Sequence, residues 1–332
     1  MTNGTSTGQQ PRNKYVSAGD RRPSLLARFG VHAGFLFMRL LPARVRWRIA
    51  RRFGPRLLEK RWRRKQIVDV NIRTCFPALD DAARRDMRRE FAIRFLRIAL
   101  DLGDLWWGSR ESLLRKIRFE GEEHVDAVRA RGRPVILLGP HTVGLDIGGL
   151  ALCCRWPVLG LTSEAKSGLA NWAFLRLRTR YCDRVIDRTA PVRRMIREVR
   201  QGRVLFYLPD EDHGHLKKSV FVPFFGKQTS TILGAGRLLA LADAEVLPFT
   251  TVFDAATSQY VVKLFPPIED ISTTDAEHNC RVIRRELETL IRIQPEDYLW
   301  TLRIFNNQPN GKANPDYPPP TIPLQEPGNE RL

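Results

Sequence analysis

The sequence predicts an α/β fold in which a mostly parallel sheet is flanked by helices and preceded by a helical, strongly basic region. Three observations carry this expectation. Short β-rich runs recur through the second half of the 332-residue chain, runs of helical spacing separate them, and the segment before them is dense in arginine with interleaved leucine and tryptophan. Strands alternating with helices build parallel sheets covered on both faces.

Taken in order, residues 1–23 are polar and rich in Gly, Ser, Thr, Gln and Arg. They read as a disordered tail, and no apolar core follows a short basic start as a secretory signal would require. Residues 24–115 carry a helical pattern: Phe91, Phe95 and Ile98 recur at helical spacing, and Asp80 and Asp81 stand where a helix start favours acids. Residues 116–305 form the α/β core. Strands are expected at 134–139, 157–162, 184–187, 204–208, 246–253 and 260–265, with helices near 143–154, 167–181, 190–200, 230–243 and 276–292. Thr229, Ser230 and Thr231 read as the N-cap of the fourth of these helices. Residues 306–332 turn proline-rich and are expected to trail off as a tail.

The net charge is +19, from 55 Lys and Arg against 36 Asp and Glu. Between Arg39 and Lys65 stand twelve basic residues and one acid, Glu59, interleaved with Trp47, Phe53, Leu57 and Trp62. Such a segment suits the surface of an anionic bilayer, where apolar groups enter the headgroup boundary and cations stay with the phosphates. Nucleic-acid binding and a plain solvated face are the other readings of the same charge. The most apolar N-terminal run, from Leu25 to Leu41, is broken by Arg28, His32 and Arg39. It is expected to lie in an interface rather than span a bilayer, which takes about 20 apolar residues. The five cysteines (Cys75, Cys153, Cys154, Cys182 and Cys280) show no paired or metal-like spacing. Buried or neutral roles in a reducing compartment are expected for them.

The sharpest chemical feature is Gly139-Pro140-His141-Thr142-Val143-Gly144-Leu145-Asp146. A strand ends, the chain turns, and a histidine stands at the mouth of the next helix with an acid five positions on. Ligands collect at the carboxyl ends of parallel strands. A carboxylate on one imidazole nitrogen fixes the tautomer and steadies the cation formed when the other nitrogen takes a proton. His141 is therefore the candidate general base and Asp146 its candidate partner. A second polar cluster, Asp210-Glu211-Asp212-His213, follows the strand at 204–208; its spacing matches no defined metal pattern, and no metal is expected. Arg176, Arg178, Arg180, Arg184 and Arg188 surround another strand, and the guanidinium fork suits a phosphorylated headgroup. The apolar stretch from Phe221 to Gly226 reads either as core or as the wall of an acyl groove formed by Phe221, Phe224 and Phe225.

In this order the residues resemble the late acyltransferases of lipid A biosynthesis, the lauroyl/myristoyl transferase family within the wider lysophospholipid acyltransferase superfamily. The carriers are Asn71 with Cys75-Phe76-Pro77, Trp106-Trp107, His141 and Asp146, Arg178 and Arg180 before Asp187-Arg188, Pro209 to Gly214, Phe221 to Phe225, and Tyr298-Leu299-Trp300 with Arg303 and Phe305. The resemblance implies an acyltransferase-type fold at the cytoplasmic face of the inner membrane. It implies transfer of an acyl chain from acyl carrier protein to a hydroxyl of a lipid A precursor, with no cofactor, and no nucleic acid among the partners. By motif position, Arg178, Arg180, Asp210 and Asp212 are expected at the acceptor site. An acyl-CoA-dependent lysophospholipid or glycolipid acyltransferase is the neighbouring alternative.

Overall fold

The computed structural model describes residues 23–163, 167–188, 190–212 and 218–319. The expected N-terminal tail up to residue 22, the end of the C-terminal tail from residue 320, and both His213 and His215 lie outside the described residues.

Four helices come first: α1 (Leu25–Leu40), α2 (Ala43–Lys60), α3 (Trp62–Cys75) and α4 (Asp81–Trp107), followed by the short α5 (Arg110–Leu114). Asp80 caps α4 by accepting from the Ala83 amide at 2.7 Å, the placement its sequence position predicts. α1 contributes no buried residue, yet it lies close on α4. A Cβ on Gly103 would stand 2.4 Å from the Phe35 carbonyl oxygen, so the two backbones meet where only glycine fits. α2 also lies along α4, held by buried charge. Arg46 bonds Asp101 and Asp104, each at 2.6 Å, and Arg97 bonds Asp101 at 2.8 Å. The Tyr260 hydroxyl donates to Asp101 at 2.6 Å, tying this network to the sheet. The helical region and the sheet therefore share one interior.

The remaining elements are β1 (Ile117–Glu120), α6 (Glu122–Ala130), β2 (Val135–Leu138), α7 (Leu145–Arg155), β3 (Val158–Thr162), α8 (Gly168–Tyr181), β4 (Arg184–Asp187), α9 (Val192–Arg200), β5 (Val204–Tyr207), β6 (Ser219–Phe224), β7 (Lys227–Ile232), α10 (Leu233–Ala242), β8 (Glu245–Asp254), β9 (Gln259–Leu264) and α11 (Ala276–Ile293). Seven strands form one sheet in the order β1-β9-β8-β2-β5-β3-β4. Every pairing is parallel except that of β8 with β9. β6 and β7 form a separate antiparallel hairpin. Side chains alternate across the sheet, as the strand period of two requires. Ile136, Leu159, Leu205 and Val246 face a core shared with α9, α10 and α11. Leu137, Val158, Val204 and Leu247 face a second core shared with α5, α6 and α7.

Several expectations are corrected. Thr229, Ser230 and Thr231 lie in β7, not at a helix cap, and all three are buried; the helix starts later, at Leu233. Of the two readings of the stretch from Phe221 to Gly226, core is the one that describes Phe224 and Phe225, which are buried beside Phe76 and Phe305. The proline-rich stretch packs back on the molecule as far as it is described: Tyr317 is buried and donates to Asn71 Oδ1, and Arg303 donates to the Pro318 carbonyl. Cys153 on α7 and Cys182 after α8 are paired, 29 residues apart, a contact that only helix packing creates. No single described helix is long and apolar enough to cross a membrane; α1 and α2 qualify only together, bent by 107°.

Candidate active site

β2 is buried at every position and delivers the chain to Gly139-Pro140. A Cβ at Gly139 would stand 2.5 Å from the Phe249 ring, so a small residue is needed for the turn to pass over β8. His141 follows at the carboxyl edge of the sheet. Its backbone is clamped from a distant part of the chain: the Leu299 amide donates to the His141 carbonyl at 2.8 Å, and the Val143 amide to the Asp297 carbonyl at 2.7 Å.

The imidazole is held by Asp210. The His141 amide donates to Asp210 Oδ2 at 2.8 Å, and His141 Nδ1 bonds Asp210 Oδ1. Register explains the meeting. Leu138 of β2 pairs with Tyr207 of the adjacent β5, so His141 and Asp210, each three residues further on, leave the sheet at the same height. Asp210 is fully buried. The Tyr298 hydroxyl donates to its Oδ2 at 2.9 Å, and Arg284, also fully buried, donates to its carbonyl at 3.0 Å. Arg284 is fixed in turn by Thr231 Oγ1 at 2.8 Å and the Ser230 carbonyl at 3.0 Å. Charge-assisted bonds of this kind hold a side chain in one orientation.

The electrostatics follow. Burial alone would raise the pKa of Asp210, but the imidazole, the His141 amide and Tyr298 outweigh it and hold the carboxyl below its ordinary value. Burial would likewise lower the pKa of His141, yet the Asp210 charge and hydrogen bond, with Glu211 beyond, leave it raised. Burial and the neighbouring Asp210 keep the Tyr298 phenol neutral, well above its usual range. An ionised Asp210 places the neutral imidazole's proton on Nδ1 and leaves Nε2 as the basic nitrogen, 3.8 Å from Glu211 Oε1.

Asp146 stands elsewhere. In the first turn of α7 it accepts from Arg178 at 3.2 and 3.3 Å, and Arg178 also donates to Thr162 Oγ1 at 2.8 Å. The partner suggested by the five-residue spacing is thus replaced by one from the next strand. His141, Asp146 and Arg178 line one cavity of ≈ 1120 Å³. That volume suits a large ligand, since sites for small molecules run from about 300 to 1,000 Å³. Arg188, just after β4, and Glu211 line the cavity too, whereas Arg180, Asp212, Phe221, Phe224 and Phe225 do not. Arg180 donates to the carbonyls of Trp106 and Gly108, bracing α8 on the end of α4. Asp212 accepts from the amide and side chain of Asn307. Phe221, Phe224 and Phe225 do not line the cavity; the last two are core, because the hairpin turns them toward α11. Its apolar walls come instead from residues that the sequence marked only as helix periodicity, such as Ile98, or not at all, such as Leu102, Leu150, Met195 and Leu238. They look like ordinary helix-core residues, and no linear signal separates them.

The sequence model of the family described as bacterial lipid A biosynthesis acyltransferase matches residues 20–307. Among characterised proteins, the chain is 26% identical to a lipid A biosynthesis acyltransferase of Haemophilus influenzae, over 86% of this chain and 90% of the relative. It is 29% identical to the lipid A biosynthesis lauroyltransferase of Escherichia coli, over 82% and 88%. It is 26% identical to the lipid A biosynthesis myristoyltransferase of the same organism, over 80% and 81%.

Proposed function

The chain belongs to the bacterial lipid A biosynthesis acyltransferase family, and from that premise we propose that it passes a fatty acyl chain from acyl carrier protein to a hydroxyl on a hydroxyacyl chain of a lipid A precursor. The carrying observation is the His141 imidazole, held by buried Asp210 on the wall of a large, mainly apolar cavity. His141 Nε2 takes the proton of the acceptor hydroxyl as its oxygen attacks the thioester carbon. The carbon–sulfur bond breaks as the tetrahedral intermediate collapses, and the imidazolium returns the proton to the departing thiolate. Asp210 keeps the proton on Nδ1 and steadies the imidazolium. Asp146 holds Arg178 on the cavity wall, where the guanidinium faces the acceptor. The thioester is already activated, so the scheme calls on no cofactor.

The N-terminal helices support action at a membrane. Leu25, Leu26, Phe29, Phe37 and Leu40 on α1 are exposed, as are Phe53 and Trp62 further on. Arg48, Arg51 and Arg52 are exposed beside them on α2. Apolar side chains open to solvent next to guanidinium groups suit an anionic bilayer surface, in keeping with the cytoplasmic face of the inner membrane as the site of action.

The test is mass spectrometry of a lipid A precursor incubated with the protein and acyl carrier proteins bearing different chains. The expected result is a mass gain of one acyl group, reduced by roughly 10²–10⁴-fold in His141→Ala. Full activity in that variant would sink the mechanism. Turnover only of a lysophospholipid with acyl-CoA would move the activity to the sister branch.

A further inference from the structure

The cavity does not stay on one side of the sheet. Leu161 and Tyr207 belong to the face packed with α9 and α10, as do Met195 and Leu238 of those helices. Val158 and Phe206 belong to the opposite face, as do Leu150 of α7 and Leu102 of α4. One cavity walled from both faces of the sheet offers an apolar arm on each, and His141 stands on the same wall at the carboxyl edge of β2. An acyl transfer that joins one chain to a hydroxyl on another has two chains to house at one reacting centre, one in each arm.

The surfaces around the two arms differ in kind. The arm lined by Ile98 and Leu102 of α4 lies on the side where α1 packs: Val31 and Phe35 of α1 join the same core as Leu102. That side carries the exposed leucines and phenylalanines of α1. The other arm opens beside the start of α9, whose Pro191, Val192 and Met195 line it. α9 presents no large apolar side chain to solvent. Its apolar face is turned inward through Met195 and Val199, and its outer face carries Arg193, Arg194, Arg197 and Arg200, all exposed. Arg193, Arg197 and Arg200 stand at i, i+4 and i+7, one row along the helix. Among the described residues, Arg193, Arg194 and Arg197 have no carboxylate partner; Arg200 donates to the Leu241 carbonyl. Exposed guanidinium groups that lack carboxylate partners, with a single exposed leucine, Leu241, beside Arg200, make a surface more charged and less apolar than that of α1, and it suits an acidic protein surface, for which charge complementarity sets encounter and register.

We propose that α9 is the docking surface for the acidic acyl carrier protein, which feeds the donor chain into the arm beneath Val192 and Met195, while the lipid acceptor's chain occupies the arm between α4 and α7. This rests on the acyl-transfer reading above and adds to it the assignment of each chain and the place of the donor protein. The two substrates then approach from opposite faces of the sheet, and neither has to leave before the other enters.

The experiment measures binding apart from turnover. Acyl carrier protein labelled with a fluorophore is titrated with the full chain and with the triple variant Arg193→Glu, Arg194→Glu, Arg197→Glu, at low and at physiological salt. The expected result is a loss of affinity of tenfold or more and a flattened salt dependence, with binding to anionic vesicles unchanged. Unchanged carrier affinity overturns the proposal, and so does loss of vesicle binding in place of carrier binding, which would make α9 a lipid contact. Should the charge reversals impair folding, the glutamine triple variant gives the same comparison with smaller changes. In turnover, the triple variant should lose rate with acyl carrier protein and keep it with an acyl-pantetheine donor; equal losses with both overturn the docking role. Ala235→Phe, which narrows the arm beside α9, should shift preference to shorter donor chains. A raised KM for the lipid with donor preference unchanged would show the arms to be reversed. Carrier binding without any turnover by the unaltered chain would instead count against the acyl-transfer reading.

Discussion

At the scale of single residues, the site turns on which carboxylate the imidazole meets. Asp210 comes from the strand beside β2, is fully buried, and is held by Tyr298 and Arg284. Its negative charge favours imidazolium and raises the His141 pKa. A base must be unprotonated to act, so kcat/KM should fall with acidification through an apparent pKa above the ordinary histidine value of about 6.5. In Asp210→Asn that limb should move to lower pH, because the charge favouring imidazolium is gone. The maximal rate should fall by roughly 10²–10⁴-fold, as tautomer and orientation are lost. Asp146→Asn should leave the pH limb in place and raise the KM for the lipid, since Asp146 acts on Arg178. A pH–rate profile of both variants separates the two carboxylates, and an unmoved limb in Asp210→Asn would refute the assignment. The histidine was legible in sequence as a titratable group at a strand end. Its partner was not, because a spacing of five residues and a meeting across two strands look the same until the register of β2 on β5 is known.

At the scale of elements, the contact of α1 with α4 decides how the membrane-facing surface is carried. α1 has no buried residue and rests on close backbone approach at Gly103, on the Trp106 indole donating to His32 at 3.0 Å, and on Arg39 donating to the Trp107 carbonyl. In Gly103→Val the new side chain would occupy the place of the Phe35 carbonyl, so α1 must move away. Limited proteolysis should then cut within α1, and vesicle binding should weaken several-fold. The α/β core should also melt at a lower temperature, because Trp106, a core residue of α4, stacks on Phe35 of α1 and loses that contact. α2 is held differently. In Asp101→Ala, Arg46 and Arg97 lose a shared buried partner, and stability should drop by about 3–5 kcal/mol, the range for breaking a buried ion pair. Denaturant unfolding checks this, and a loss under 1 kcal/mol would mean that Asp104 and water replace Asp101.

At the scale of the whole molecule, the charge of +19 is divided between surfaces with different neighbours. On α2 the exposed arginines sit beside exposed apolar side chains of the same helix, whereas α9 itself exposes no large apolar side chain and has only Leu241 of α10 beside Arg200. Binding to anionic vesicles should therefore weaken as salt rises without vanishing, since each basic group near such a surface contributes about 1 kcal/mol and the apolar contacts are not screened. Co-sedimentation over a salt series measures it; complete release at moderate salt would assign the attachment to charge alone.

Sequence by itself determined six strands of the main sheet and most of the helices between them, though not β1, α6 or the β6–β7 hairpin, together with the helical and basic character of the N-terminal region and the candidate base. These are written in short-range features: a period of two or 3.6, a turn after a buried strand, and the density of arginine between tryptophans. Tertiary structure alone decided the partner of His141, the pairing of Cys153 with Cys182, the burial of Phe224 and Phe225, and the return of Tyr317 to Asn71. It also decided the walls of the cavity, which gather side chains from α4, α7, α9 and α10 across two faces of one sheet. Each of these depends on strand order and helix packing, which bring together residues tens to hundreds of positions apart. Local pattern carries no information about which distant residue will fill a given space, because any apolar or acidic side chain of suitable size satisfies the same periodicity.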